Sequence, residues 1–312
     1  MNPEVKSTLK AQNWKLTLAY DGAEFRGWQV QPGERTVQGE LQSALHRVTG
    51  EAPLPQGSGR TDAGVHALAQ VASFPLHAPI PAGNLLLALN RTLPASIRVL
   101  EARPVRSAFH ARHSAQGKTY EYRIFLEKPA PWLDPRAPGR ICSPFLAPYV
   151  CLYPWPLEIE PMQQAAQAFL GEHDFLSFAA SDPDLAARTL SSVAPSALRP
   201  LPRPDFDPQP PASLSIRTIY SSQWEERATE FGEILVYRVS GSGFLHHMVR
   251  NLVGTMLDVG RGQLRAEAMA AILAARLRSA AGPTAPPQGL FLHSVKYNAS
   301  DEALENISEQ GQ

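Results

Sequence analysis

Trp14 to Tyr20 alternates apolar and polar positions with Leu16 and Leu18 on one face, which predicts a strand, and Asp21-Gly22 supplies the turn that ends it. Thr36 precedes VQGELQSALHRVTG, where Val37, Leu41, Ala44, Leu45 and Val48 recur at helical spacing. A helix is predicted there, stopped by Gly50. QVASF from Gln70 alternates again, a short strand closed by Pro75. A helix from about Ala82 to Leu89, ended by Asn90, Arg91 and Pro94, and a strand from Ile97 to Leu100 complete the first half. The order strand, helix, strand, helix, strand is half of a split βαβ arrangement.

KTYEYRIFL predicts a strand whose Tyr120, Tyr122 and Ile124 form an aromatic face. Residues 129–156 hold eight prolines, which exclude regular helix and predict a segment crossing the surface. A helix follows from about Glu158 to Leu170, with Met162, Ala165, Ala166, Phe169 and Leu170 inward. Residues 182–213 hold eight more prolines and are expected to be mobile and not catalytic. Ile216 to Glu226 and Ile234 to Val239 read as paired strands. GSGFLHHMVRNLVGTMLDVGRG then predicts a helix with Leu245, Met248, Val249, Leu252, Val253 and Met256 as core. A last helix, Ala266 to Leu277, and the strand GLFLHSVKY precede an acidic tail at 301–309, expected to fray. The class expected is α+β: the second half repeats the element pattern of the first, so two pseudo-equivalent halves, 1–112 and 113–312, are expected to join mostly antiparallel sheets edge to edge.

At 312 residues the chain is long enough for two domains and a substantial core. It has no apolar run near the roughly 18 residues of a membrane span, and MNPEVKSTLKAQNWK has no apolar export signal, so a cytoplasmic protein is expected. Cys142 and Cys151 fit neither a disulfide framework nor a paired-CxxC zinc site. His173, or the adjacent His246 and His247, offer zinc-ligand types, but adjacent histidines on a helix point apart and make poor joint ligands, and no metal is expected. The formal net charge of zero hides a split, with residues 1–125 at +5 and 126–312 at −5. Arg98, Arg103, Arg106, Arg112, Lys118 and Arg123 form one concentrated basic segment, either a phosphate-binding face or a solvated surface.

The candidate chemistry centres on residues 57–74, GSGRTDAGVHALAQVASF, where one acid, Asp62, stands with Arg60 and His66 among glycines. Thr-Asp-Ala-Gly is also a good turn, in which Asp62 accepts a backbone N–H and Gly64 is left-handed, and both readings stand on local chemistry. In EFRGWQVQ, Arg26 lies beside a tryptophan that is either buried under a loop or substrate-facing. Arg250, amid an apolar helix, either reaches out to solvent or pairs with a buried acid. One obvious carboxylate makes a poor hydrolase, and P-loop, dinucleotide and metal motifs are absent from the sequence. Chemistry needing one carboxylate and no cofactor remains.

GRTDAGVHA, the YDG…GWQ pattern, HAR…S followed by a K-x-Y-x-Y strand, and FxHHMVRN together resemble the tRNA pseudouridine synthase A (TruA) family, from Leu16 to Tyr297. The resemblance implies the pseudouridine synthase fold with a central basic cleft between the halves, and isomerisation of uridine to pseudouridine in the anticodon stem-loop of tRNA, at tRNA positions 38, 39 and 40. Asp62 matches the catalytic aspartate, which either attacks C1′ or removes a sugar proton to give a glycal; Tyr120 matches the active-site tyrosine and Arg250 the partner of the aspartate. Stacking of the freed base on Tyr120 is worth roughly 1–3 kcal/mol by analogy with single-strand binders. Arg60 is expected to prop the gap left by a flipped nucleotide, Leu292 to line the site, and Arg26, Arg103, Arg106 and Arg112 to bind tRNA. No cofactor is implied, and the assembly implied is a homodimer in which one tRNA touches both subunits. The 182–213 segment reads as an insertion in the family pattern. A catalytically silent RNA-binding protein and a nucleosidase are the alternatives: Asp62 argues against the first and the basic segment against the second.

Overall fold

The computed structural model describes residues 11–127, 139–180 and 214–302. The proline-rich segment 182–213, most of the tail and part of the first proline-rich segment lie outside the described residues.

β1 (Gln12–Tyr20) leads to α1 (Val37–Thr49), then to the two-residue β2 (Gln56–Gly57) and β3 (His66–Leu76). The Thr36 hydroxyl accepts from Gly39 N, and Gly50 closes the helix in the left-handed region at φ 77°. β3 starts at His66 and runs past Pro75, longer than the alternation of QVASF predicts: its first residues pair with β1 and β10, distant partners that the local pattern does not mark, and the exposed Leu68 breaks the alternation. α2 (Ala82–Thr92) and β4 (Ile97–Val105) complete the first half. The second comprises β5 (Ala115–Leu126), β6 (Cys151–Tyr153), α3 (Ile159–Gln167), β7 (Gly171–Asp174), the hairpin of β8 (Ile216–Thr229) and β9 (Gly232–Gly241), α4 (Met248–Gly260), α5 (Ala268–Ala275) and β10 (Leu290–Tyr297).

All strands belong to one sheet of order β4-β1-β3-β10-β5-β9-β8-β7, with β2 on β3 and β6 on β5. Pairing is antiparallel except for β3–β10 and β5–β6. The last strand of the chain therefore returns to the middle and joins the two halves. Register places Ala67, Leu292, Tyr120 and Val239 side by side on one face. That face and all five helices share one apolar cluster, running from Trp14, Leu16 and Leu41 to Met162, Leu252 and Ile272. The helix-covered face buries the apolar side chains that drive folding, and the gap between the two helix sets lies over the seam strands.

On the opposite face Glu121 is buried and accepts from Arg123 Nε at 2.7 Å, Arg227 Nη1 and Nη2 at 2.9 and 3.0 Å, and Arg238 Nη2 at 2.9 Å. This hub ties β5, β8 and β9 together beneath the site. The tail expected to fray begins with a helical turn, Ala299–Glu302, and Asp301 is held by an ion pair to Arg106. Among the described residues no helix is long and apolar enough to cross a membrane.

Candidate active site

The loop between β2 and β3 is braced from the core. Gln70, fully buried, donates to Gly59 O at 2.9 Å and accepts from Ser58 Oγ at 2.6 Å. Tyr20 Oη and Thr61 Oγ1 share a hydrogen bond of 2.8 Å. Trp28 is buried, so its indole belongs to the core; its backbone N–H donates to Thr61 O at 3.0 Å. The turn is present as the local sequence suggests: Val65 N donates to Asp62 O at 3.2 Å and Gly64 sits at φ 77°, where a Cβ would be strained. The Asp62 carboxylate has a different use from capping that turn.

Asp62 Oδ2 lies 3.1 Å from Arg250 Nη1 and 3.3 Å from His247 Nε2, and Oδ1 lies 3.4 Å from His246 Nε2. α4 carries Arg250 because its neighbours on nearly every side are apolar and buried, sandwiching the helix between sheet and α3. The loop after α5 is pinned to α4: Asn251 Oδ1 accepts from Thr284 Oγ1 at 2.7 Å and Arg278 Nη2 at 3.1 Å, and Thr255 Oγ1 accepts from Gly282 N at 2.9 Å. Ala285 O is thereby placed to accept Arg250 Nε at 2.7 Å. The guanidinium spans the Asp62 carboxylate and a backbone carbonyl. It does not form a two-pronged fork on the carboxylate alone.

The adjacent histidines do not point apart. They precede α4, and His247 adopts the left-handed conformation, φ 57° and ψ 3°, which turns both rings toward Asp62 and brings their centroids to 3.9 Å. A non-glycine residue in that region is uncommon and gathers at functional sites. The donor atoms of Asp62, His246 and His247 lie within 4.8 Å of one another, a grouping that can hold a metal ion, although Arg250 on the same carboxylate opposes a second cation.

Burial pushes the Asp62 carboxyl up; the hydrogen bond from His246 and the charges of His247, His246 and Arg250 push it further down, so it is held below the ordinary carboxylate range. His247 is lowered by burial, against the pull of Asp62. Tyr120, on the helix-covered face of β5, is raised well above an ordinary phenol, first by burial and then by Tyr20 and Asp62, and its ring meets Phe244 edge-on at 5.0 Å. It is a neutral hydroxyl beside an ionised carboxylate.

These groups share a cleft of about 880 Å³. Asp62, Tyr120 and Arg250 line it together, with Arg60, Arg26 and Arg112. Glu34, a second acid of the lining, stands 3.4 Å from Arg26. Leu292 does not line the cleft. It is fully buried between Ala67 and Tyr120 in the sheet, and Leu290, two residues earlier on the same face of β10, takes the position at the cleft wall. Arg103, 3.3 Å from Glu101 on the outermost strand β4, and Arg106 also lie outside the lining. Three participants carry no mark in the sequence as parts of this site, His246, His247 and Gln70; the histidines enter there only as zinc-ligand types, and Lys118 belongs to the basic segment already singled out. The only signal for the histidines was their place in FLHHMVRN just before the helix, where helical geometry does not yet apply.

A family model described as tRNA pseudouridine synthase matches residues 17–114 and 204–298, stretches that contain Asp62 and Arg250, with Tyr120 between them. Curated relatives named tRNA pseudouridine synthase A align over nearly the whole chain. The protein of Solibacter usitatus is 45% identical over 283 residues, covering 91% of this chain and 98% of its own. That of Moorella thermoacetica is 40% identical over 289 residues, covering 91% and 98%. That of Halalkalibacterium halodurans is 40% identical over 294 residues, covering 93% and 94%. With a family model matched on both sides of the cleft and identity of this extent, the chain belongs to the tRNA pseudouridine synthase family.

Proposed function

We propose that this protein isomerises uridine to pseudouridine in the anticodon stem-loop of tRNA, with Asp62 as the group that opens the reaction. The observation that carries the reading is an ionised carboxylate in a cleft, fixed by Arg250 and two histidines beside a neutral tyrosine, with the lining's other acid, Glu34, held near Arg26. In the reaction the N1–C1′ bond of uridine breaks, the uracil turns, C5 bonds to C1′, the C5 proton leaves to solvent and N1 gains one. Atoms and electrons balance without an oxidant, a reductant or water consumed. Asp62 either bonds to C1′ or takes a sugar proton, and both routes need it ionised. Tyr120 is placed to stack on the detached base and to hold a proton close by.

A uridine stacked in a helix cannot reach such a cleft, so the nucleotide must turn out of the stack, and Arg60 at the mouth is the side chain proposed to prop the gap. Arg26 and Arg112, exposed on the lining, are proposed as tRNA contacts. For Arg103 and Arg106 the same proposal requires the RNA to reach the outer edge of the sheet. The reading divides the chain near residue 112: Asp62 comes from the first half, and Tyr120, His246, His247 and Arg250 from the second. A homodimer in which one tRNA touches both subunits, working in the cytoplasm, completes the proposal.

Tritium release from tRNA carrying 5-tritiated uridine is the test. The purified protein is expected to release it in proportion to pseudouridine formed. RNA binding without release identifies a silent binder, and free uracil identifies a nucleosidase.

A further inference from the structure

Lys118 is a cation of the cleft without a carboxylate partner among the described residues. β5 carries it two residues before Tyr120, and Nζ donates to Ser58 O of the catalytic loop at 2.6 Å. A Cβ on Gly59 would come within 2.9 Å of that nitrogen, so the glycine keeps open the space the amine occupies. An ammonium has three N–H donors, and Ser58 takes one. Arg112, exposed, arrives from the segment before β5 and lines the same cleft. Arg217 arrives from β8, half-buried, its Nη1 donating to Leu214 O and Ile216 O at 3.0 and 2.6 Å. Neither makes an ion pair with a carboxylate among the described residues. Arg112, on the cleft lining, and Arg217, outside it, both act on Lys118 as like charges and Arg112 acts on Arg217 in the same sense, and an anion placed among them offsets that repulsion.

We propose that Lys118, Arg112 and Arg217 form a seat for one backbone phosphodiester of the RNA, at the side of the cleft where Gly59 and Ser58 approach β5. The inference rests on the proposed action on tRNA and deepens it by assigning a subsite. The arginines offer planar forks and the lysine a point charge, a combination suited to phosphate oxygens. Burial, then the charges of Arg112 and Arg217, push the Lys118 amine down to about 8. A phosphate beside it restores the charged form, so RNA binding takes up a proton above that pH.

The groups around Lys118 are Arg60 and Asp62 from the loop, Arg112 from the segment before β5, Arg217 and Tyr220 from β8, and Tyr120 on β5 itself. Asp62 is already ionised and Tyr120 stays neutral between pH 7 and 9, and a guanidinium does not lose its proton there. Lys118 is the group of the seat that changes charge in this range.

The experiment measures the Kd of tRNA by fluorescence anisotropy from pH 7 to 9 at fixed ionic strength, in an Asp62→Asn background that prevents turnover. With Lys118 present, Kd is expected to rise about tenfold across the range, flat below the free-enzyme pKa and rising above it. Lys118→Arg is expected to bind as tightly at pH 7 and to lose the pH dependence. Lys118→Met is expected to bind roughly tenfold more weakly at pH 7 and to lower the log Kd against log salt slope by about one, as are Arg112→Gln and Arg217→Gln. A pH dependence that survives both lysine substitutions, or unchanged affinity and salt slope in Lys118→Met, overturns the seat. The Asp62-bearing chain is assayed in parallel for tritium release: release with unchanged Lys118 variants removes the seat alone, whereas neither release nor tRNA binding removes the functional reading and the seat with it.

Discussion

Arg250→Ala removes the strongest permanent charge on Asp62. The two side chains are 13% and 22% exposed, so bulk water does not readily take the arginine's place. Opposite charges at such separation interact by about 4 kcal/mol at an effective dielectric near 20. His246 and His247 retain part of that support, so the net loss in the transition state is expected to be about 2–3 kcal/mol, a fall of roughly 30- to 150-fold in the single-turnover rate. The Asp62 carboxyl should also rise, which moves the acid limb of the pH–rate profile upward. Arg250→Lys keeps a charge, yet one ammonium on a shorter reach cannot serve both Asp62 Oδ2 and Ala285 O. Loss of one hydrogen bond at about 1–1.5 kcal/mol predicts a rate lower by roughly fivefold to tenfold. The assay is tritium release with enzyme in excess over 5-tritiated tRNA, alongside circular dichroism to show that each variant is folded. A folded alanine variant within about threefold of wild type, with its acid limb unmoved, refutes the ion-pair role; a lysine variant equal to wild type refutes the two-acceptor geometry.

Other outcomes follow from the same structure. Gln70→Leu leaves Ser58 Oγ and Gly59 O without their buried partner, and a loss of about 2–3 kcal/mol in stability with kcat reduced more than KM is expected from melting curves and steady-state kinetics; an unchanged kcat contradicts the brace. His246→Ala removes the largest influence lowering the Asp62 carboxyl, so the acid limb of the rate profile should shift to higher pH while tRNA binding at pH 8 changes little. Glu121, whose carboxyl is held down to about 2 by the hydrogen bonds of Arg227, Arg238 and Arg123 against its burial, contributes stability that is complete above about 4.5 and is lost as pH falls toward 2. Glu121→Gln should lower stability at pH 7 by about 3–5 kcal/mol, and urea midpoints that match wild type at pH 7 rule out the hub.

The elements that alternate or repeat most plainly were legible from the sequence. Thr36 and Gly50 bracket α1, and the β8–β9 hairpin stands where its two strands are read. β3 was read too short because its first residues, HALA, put an exposed Leu68 where alternation would need a polar residue. Nothing local reveals that β10 slips between β3 and β5, since its partners lie far off in the sequence, His66 for Phe291 and Tyr122 for Leu290. At the site, Asp62 and Arg250 stood out as charges in unlikely company. His246 and His247 did not, because helical geometry was applied to residues that lie outside the helix, and His247's left-handed backbone has no sequence mark. Leu292 was taken for Leu290: both lie on one face of β10, and which of the two meets the cleft depends on where the strand enters the sheet.

The most direct test asks whether Asp62 performs chemistry in this cleft or serves only to bind RNA. Asp62→Asn keeps the shape of the side chain and removes its charge and basicity. Under single-turnover conditions the variant is expected to release no tritium from 5-tritiated tRNA, while its tRNA affinity stays within a few-fold of wild type at the same salt. Substantial release by the purified asparagine variant, with contaminating wild-type enzyme excluded by mass spectrometry, contradicts the chemical role of Asp62.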